Sequence, residues 1–245
     1  MTASLILFAA GSLRRALVPL LETFQQQTGI RVETHFGPAG LLRERIEAGE
    51  RCSLFASANT AHPQALLAAG SATTVHSFAA NHLNLTVRNT PDTANADWLS
   101  LLRNTSLRAG TSTPGCDPSG DYTWQLFDNI EALVPGLGDA LKERAQKVVG
   151  GRDSVTVPEG EIASLWLIRQ NLVDLFIGYA HYAQALAGQK EVRVVAIPPA
   201  YNPRCEYQLA VLDDAPEVRQ LVAFITGPEG QARLREVGFL PLNGE

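Results

Sequence analysis

The chain of 245 residues carries 20 Lys and Arg against 25 Asp and Glu, a formal net charge of −5, with 45% hydrophobic and 18% charged residues. This is the composition of one or two globular domains with real cores. The absence of basic runs excludes nucleic acid as an expected partner, and no apolar stretch approaches the ~20 residues that would cross a membrane. Cys52, Cys116 and Cys205 lie far apart and form no C-x-x-C pair. At least one thiol is therefore unpaired, and the sequence does not choose a disulfide.

Met1-Thr2-Ala3-Ser4 leads straight into Leu5-Ile6-Leu7-Phe8, without the basic and apolar regions of a signal peptide. Those four apolar residues read as a buried parallel strand. Gly11 follows, Ser12 stands where an N-cap belongs, and Leu13, Leu17, Leu20, Leu21 and Phe24 have helical spacing. The pattern predicts a helix over 12–28 closed by Gly29. A strand over 30–36, the turn Gly37-Pro38-Ala39-Gly40 and a helix over 41–48 come next. A short buried strand over 51–57 and a helix over 62–69, stopped by Gly70, complete a β-α-β-α-β-α run. That order implies a parallel sheet flanked by helices.

Residues 82–88 alternate and predict a strand, 89–95 a polar loop, 98–102 a short helix and 107–111 a strand. After the turn Ser112-Thr113-Pro114-Gly115-Cys116-Asp117-Pro118, apolar Tyr122, Leu126 and Ile130 predict a helix from about Ser119, and a further helix is expected over 136–148. Pro158-Glu159-Gly160-Glu161 feeds another helix start. Strands are expected over 173–179, ending at Tyr179, over 192–197 and over 207–212, and helices over 216–226 and 228–237. The chain therefore reads as two α/β lobes joined by crossings near 80–83 and 198–206. The first lobe is expected over 1–82 and 204–245, the second over 83–203.

Four helix starts stand out: Gly11-Ser12, Ala39-Gly40, Ser119-Gly120 and Gly160-Glu161. Each follows a Gly- or Pro-rich turn, and free N–H groups with the helix dipole favour an anion there. Taken singly, ordinary capping explains each one.

A resemblance brings them together. Residues 5–13, then Phe24-x-x-x-Thr28-Gly29-Ile30-x-Val32, Ile46-Glu47-Ala48-Gly49, Phe55-Ala56-Ser57-Ala58-Asn59 and Gly227-Pro228-Glu229-Gly230-Gln231 with Gly238-Phe239-Leu240-Pro241 resemble the periplasmic molybdate- and tungstate-binding proteins in order and spacing. The resemblance runs over nearly the whole chain. It implies the two-lobed α/β fold of ABC-importer binding proteins, with a tetrahedral oxyanion hydrogen-bonded in the hinge cleft. By position, the family's first serine falls on Ser12 beside Gly11. Its second falls on Ala39 beside Gly40, where the hydroxyl is missing and a backbone N–H remains. Its Pro-x-Gly contact falls on Ser119, its next helix start on Glu161, and its tyrosine on Tyr179, with Tyr182 near enough to be an alternative. Asp117 and Glu161 resemble the archaeal tungstate branch, in which two carboxylates approach the metal centre of the oxyanion. In that reading both are direct ligands of molybdenum or tungsten. At helix starts, both are expected to be held charged by the dipole. An Asx turn for Asp117 and a favourable helix-start charge for Glu161 are the plainer explanations.

The resemblance further implies a periplasmic location with a leader removed from this chain, delivery to an ABC-transporter membrane permease, no catalytic residues, no cofactor, and a monomer. Two other readings stay open. Asp117, Glu161 and Tyr179 offer hard oxygens suited to ferric ion, and sulfate is another candidate oxyanion. Cys116 suggests a cysteine-dependent hydrolase, but the adjacent carboxylate would weaken the nucleophile and no base is placed for it. The five histidines show no metal-ligand spacing.

Overall fold

A computed structural model of the chain describes residues 4–242. These divide into two compact units, one running up to Asn81 and resuming at Cys205, the other spanning His82–Arg204.

The first unit opens with β1 (Leu5–Ala10), nearly all of it buried. A short 3-10 turn, Gly11–Leu13, leads into α1 (Arg14–Thr28), which buries Ala16, Leu17, Leu20, Leu21 and Phe24 along one stripe. Gly29 takes the left-handed conformation, φ 73°, that ends the helix. Then come β2 (Val32–Gly37), α2 (Ala39–Glu47), β3 (Leu54–Ser57), α3 (Ala61–Ala68) and β4 (Thr74–Asn81).

The second unit contains β5 (Leu83–Arg88), α4 (Trp98–Arg103), β6 (Ala109–Ser112), α5 (Pro118–Leu133), α6 (Leu137–Arg144), β7 (Gln146–Val149), α7 (Ala163–Arg169), β8 (Leu175–Tyr179), α8 (Ala183–Leu186) and β9 (Val192–Ala196). The chain then returns to the first unit as β10 (Cys205–Val211), α9 (Pro216–Thr226) and α10 (Pro228–Glu236).

Each unit holds one five-stranded mixed sheet, ordered β2-β1-β3-β10-β4 in the first and β7-β6-β8-β5-β9 in the second. In the first, β1 is parallel to β2 and β3, while β10 runs antiparallel to β3 and β4. In the second, β6 is parallel to β7 and β8, and β5 is antiparallel to β8 and β9. Central strands are apolar because helices cover both faces: Phe8, Phe55, Leu42 and Leu66 form part of one core, and Leu165, Ile168, Val173 and Phe176 part of the other.

Two strands depart from the sequence expectation. The helix predicted over 136–148 stops at Arg144, where Ala145 turns extended, and Gln146–Val149 forms the edge strand β7. Its first residues are polar because an edge strand buries little. The other is β4, whose polar first half, Thr74-Val75-His76-Ser77, masked its strand character.

The connection before β10 is pinned within the second unit. The Asn202 amide accepts from Leu83 N–H (2.9 Å) and donates to Leu83 C=O (2.7 Å), copying a strand partner. Tyr201 stacks on Trp98 at 5.6 Å, and its carbonyl accepts from the Asn129 amide.

Candidate functional site

Parallel strands send their following turns to one edge of a sheet, where α/β proteins place ligands. In the first unit Ala10 lies level with Gly37 and Ala9 with Ala56. The turns carrying Gly11-Ser12, Pro38-Ala39-Gly40 and Ser57-Ala58-Asn59 are therefore neighbours. Gln208 pairs with Ser57, and Asn81 with Cys205, so the start of β10 and the end of β4 reach the same edge.

Ser12 does not cap a helix. It sits inside the 3-10 turn, buried, and its hydroxyl lies 2.8 Å from the Tyr207 hydroxyl. Tyr207 in turn accepts a long hydrogen bond, 3.5 Å, from the Asn81 amide. At α2 the preceding residue is Pro38, and no side chain caps the helix. The first N–H groups of α2, on buried Ala39 and Gly40, thus face the sheet edge with no side-chain acceptor. Nearby, Ser57 donates to Asn59, whose carboxamide oxygen also accepts from His62 N–H at the start of α3.

In the second unit the corresponding edge holds the turn after β6, the loop after β7 and the end of β8. Asp117 is the N-cap of α5, its carboxylate accepting from Ser119 N–H at 3.2 Å. The N–H expected to face an oxyanion is thus already engaged by a side chain. Gly150, with φ 75°, lies so close that a Cβ there would stand 2.5 Å from the Asp117 carboxylate. Gly120 is equally confined, since a Cβ there would meet the backbone of Ser112, Thr113 and Pro114. The turn is further closed by Gly115 N–H donating to Asp121 (2.9 Å) and by the Thr113 hydroxyl donating to Val149 C=O (2.8 Å).

The residue Asp117 is only partly buried, but its carboxyl group is ringed by protein atoms, and this burial pushes its pKa up to about 6. The nearby Asp121 carboxylate adds to the rise, while the Ser119 N–H opposes it. The dipole-lowered pKa expected from sequence is therefore reversed: desolvation outweighs the helix terminus. Burial pushes Asp121 up as well. The Ser112 hydroxyl, almost fully buried at the end of β6, is close enough to Asp117 to favour its charged form, yet makes no well-formed hydrogen bond.

Glu161 differs from its sequence expectation. The helix starts at Ala163 with Ile162 as its N-cap, so Glu161 belongs to the turn before it. It is exposed, and its N–H is held by Pro158 C=O at 3.1 Å. Tyr179 does end β8, buried, with His181 edge-on at 6.1 Å and Tyr182 packed on that histidine. The first unit thus gathers Gly11, Ser12, Ala39 and Gly40, and the second gathers Asp117, Ser119 and Tyr179, each at the carboxyl edge of its own sheet. Sequence reading missed Tyr207, Asn81 and Gly150. Among the described residues all three cysteines are free, and no three His, Cys, Asp or Glu side chains are grouped to hold a metal ion.

Residues 5–240 match the family described as bacterial extracellular solute-binding protein. The chain belongs to that family. An uncharacterized protein of Pasteurella multocida, PM1146, is 44% identical over 97% of this chain and 98% of its own length. The molybdate-binding protein ModA of Escherichia coli is 24% identical over 95% of this chain and 87% of its own. Among solved structures, the periplasmic molybdate-binding protein of Azotobacter vinelandii superposes with a TM-score of 0.78 at 21% identity, covering 97% of this chain and 99% of that one. The sulfate-binding protein SubI of Mycobacterium tuberculosis reaches the same TM-score, 0.78, at 18% identity, covering 99% and 88%. These likenesses establish a fold common to periplasmic binding proteins, with two α/β units. The chain is a solute-binding protein, and no helix of its described residues is long and apolar enough to cross a membrane.

Proposed function

We propose that this solute-binding protein takes up a tetrahedral oxyanion, molybdate or tungstate, in the periplasm and passes it to the membrane permease of its importer. The observation that carries the reading is the donor character of the two sheet edges. The Ser12 hydroxyl and the uncapped start of α2 stand at one, and Tyr179 at the other. Neutral donors on rigid backbone suit an oxyanion, because they satisfy its lone pairs without a counter-charge that would slow release. The E. coli relative named for molybdate lends the specific ligand its support.

Binding in this scheme needs no catalytic residue. Asp117 and Glu161 set selectivity. Two carboxylates beside a dianion repel it, and sulfur does not expand its shell to accept their oxygens, whereas molybdenum and tungsten do. Sulfate is the second reading, since the same donors fit any tetrahedral dianion, and Asp117 is the feature that weighs against it.

Calorimetry with molybdate, tungstate, sulfate, phosphate and ferric ion tests the proposal. The expected result is tight binding of molybdate or tungstate and poor binding of sulfate. In a variant combining Asp117→Asn with Glu161→Gln, the ratio of tungstate to sulfate affinity should fall. Preference for sulfate or ferric ion in the wild type would replace the proposed ligand, and an unmoved ratio would remove both carboxylates from the site.

A further inference from the structure

Three adjacent strands of the first sheet, in the order β2-β1-β3, run parallel and end together. Ala10 ends β1, Gly37 ends β2 and Ser57 ends β3, and the pairing sets Ala10 level with Gly37 and Ala9 level with Ala56. Two residues beyond these ends stand Ser12, Ala39 and Asn59. Parallel strands in register deliver such residues to neighbouring turns at one edge. The three places carry a hydroxyl, a methyl and a carboxamide, with Ser12 on the central strand of the three. Ser12 and Ala39 belong to the site proposed above; Asn59 has no part in it.

The Asn59 carboxamide is held in one orientation. Its Oδ1 lies 3.1 Å from the His62 backbone nitrogen and 2.8 Å from the Ser57 Oγ. A backbone N–H can only donate, so the amide atom that faces it is the oxygen and not the nitrogen. Ser57, fully buried at the end of β3, donates to the same oxygen and accepts in return from Asn59 N–H at 3.3 Å. With the oxygen held twice, the Nδ2 amino group is turned away from both donors. It makes no hydrogen bond to any described residue, and Asn59 is only half-buried. A neutral group with two N–H bonds, fixed before a ligand arrives, loses little freedom on binding and presents an anion with donors alone.

We infer that Asn59 is a further residue of the anion site: its locked carboxamide donates from Nδ2 to a ligand oxygen, on the side of Ser12 opposite Ala39. The inference rests on the oxyanion reading proposed above. It gives this edge a side-chain donor in place of the hydroxyl that Ala39 lacks.

The test is tungstate calorimetry on the wild type, Asn59→Asp and Asn59→Ala, each checked for an intact fold by thermal melting. Asn59→Asp keeps an oxygen for Ser57 and for the His62 N–H, and a carboxylate before α3 suits the helix dipole, so the turn should hold. The amino group becomes a second oxygen, which cannot donate and would face a ligand oxygen rather than the metal centre. Tungstate affinity should fall by more than roughly tenfold, the scale of one hydrogen bond to a charged group with repulsion added, while the free protein melts no earlier than wild type. Asn59→Ala loses donor and turn together and should bind weakly as well. Wild-type affinity in Asn59→Asp would show that the residue only shapes the turn, whatever Asn59→Ala does, and would overturn the inference. If Asn59→Asp does not fold, isotope-labelled asparagine side chains in the wild type carry the test. The Asn59 amino signals should move and exchange more slowly with water on saturation with tungstate, and signals that stay as they were overturn the inference. A wild type that binds none of molybdate, tungstate or sulfate would sink the oxyanion reading itself, whereas tungstate binding that survives Asn59→Asp sinks only the role of Asn59.

Discussion

Replacing Asp117 by Asn should stabilise the ligand-free protein at neutral pH and do nothing in acid. Its carboxyl has a pKa of about 6 when folded, against an ordinary 3.8. Below about pH 4 the group is protonated in both folded and unfolded states and carries no penalty. As pH rises through about 6 it becomes charged in the folded state, where burial disfavours the charge. Its contribution to stability is thus complete in acid and is lost between about pH 4 and 6. At about 1.4 kcal/mol per pH unit, the penalty at pH 7 is on the order of 3 kcal/mol. Asn keeps a carbonyl oxygen for Ser119 N–H and remains a good N-cap, so the cap survives the change. The bond from Ser119 N–H to the charged carboxylate is already part of that net shift, so the variant should gain on the order of 3 kcal/mol at pH 7. Melting temperature followed by circular dichroism from pH 3.5 to 8 is the assay. The two curves should coincide in acid and separate by several degrees above pH 6. A gain of equal size at every pH, or a variant less stable than wild type at pH 7, would refute the argument. If the prediction holds, the protein retains a carboxylate at a cost in stability, as residues kept for a ligand commonly are.

Gly150→Ala should destabilise by about 2–4 kcal/mol in urea titration, since the left-handed backbone and the approach to Asp117 both oppose a Cβ; a loss under ~1 kcal/mol would mean the loop simply moves aside. Asn202→Ala removes both bonds to Leu83, and hydrogen exchange at the Leu83 amide should quicken roughly tenfold while β1 and β3 amides keep their protection. Ser12→Ala should weaken tungstate binding by roughly 1–3 kcal/mol with little change in the melting temperature, and an unchanged affinity would exclude the hydroxyl from the site.

What was legible in the sequence is what local pattern encodes. Leu5-Ile6-Leu7-Phe8 before Gly11, the apolar stripe of α1 and its closing Gly29 follow from spacing and backbone freedom alone, and the structure has them within a residue or two. β7 was not legible because Gln146-Lys147 has no apolar alternation and its strand character comes from pairing with β6. Tyr207 reads in sequence as one more aromatic in a strand, and only the fold brings it to Ser12 across 195 positions. Asp117 was visible as a helix cap, but the sign of its pKa shift depends on how deeply Gly150 and the β6 turn enclose it, which no window of residues reports. Glu161 was misplaced by two residues because Gly160, at φ 85°, turns the chain before the helix begins.

The position of β10 also fixes the order in which the chain can finish folding. In the first sheet β10 lies between β3 and β4, yet it is synthesised after the whole second unit. Until it emerges, β4 has no strand to pair with, and apolar Phe78, Ala79 and Ala80 wait uncovered. The second unit is contiguous and can close while the first is still open, the reverse of the usual N-terminal-first order. The late long-range pairing makes β10 the slow step. A chain stalled just before Cys205 should show protected amides in β5, β6 and β8 and unprotected ones in β4. Any factor that holds nascent chains would then be expected to bind at the open gap between β3 and β4.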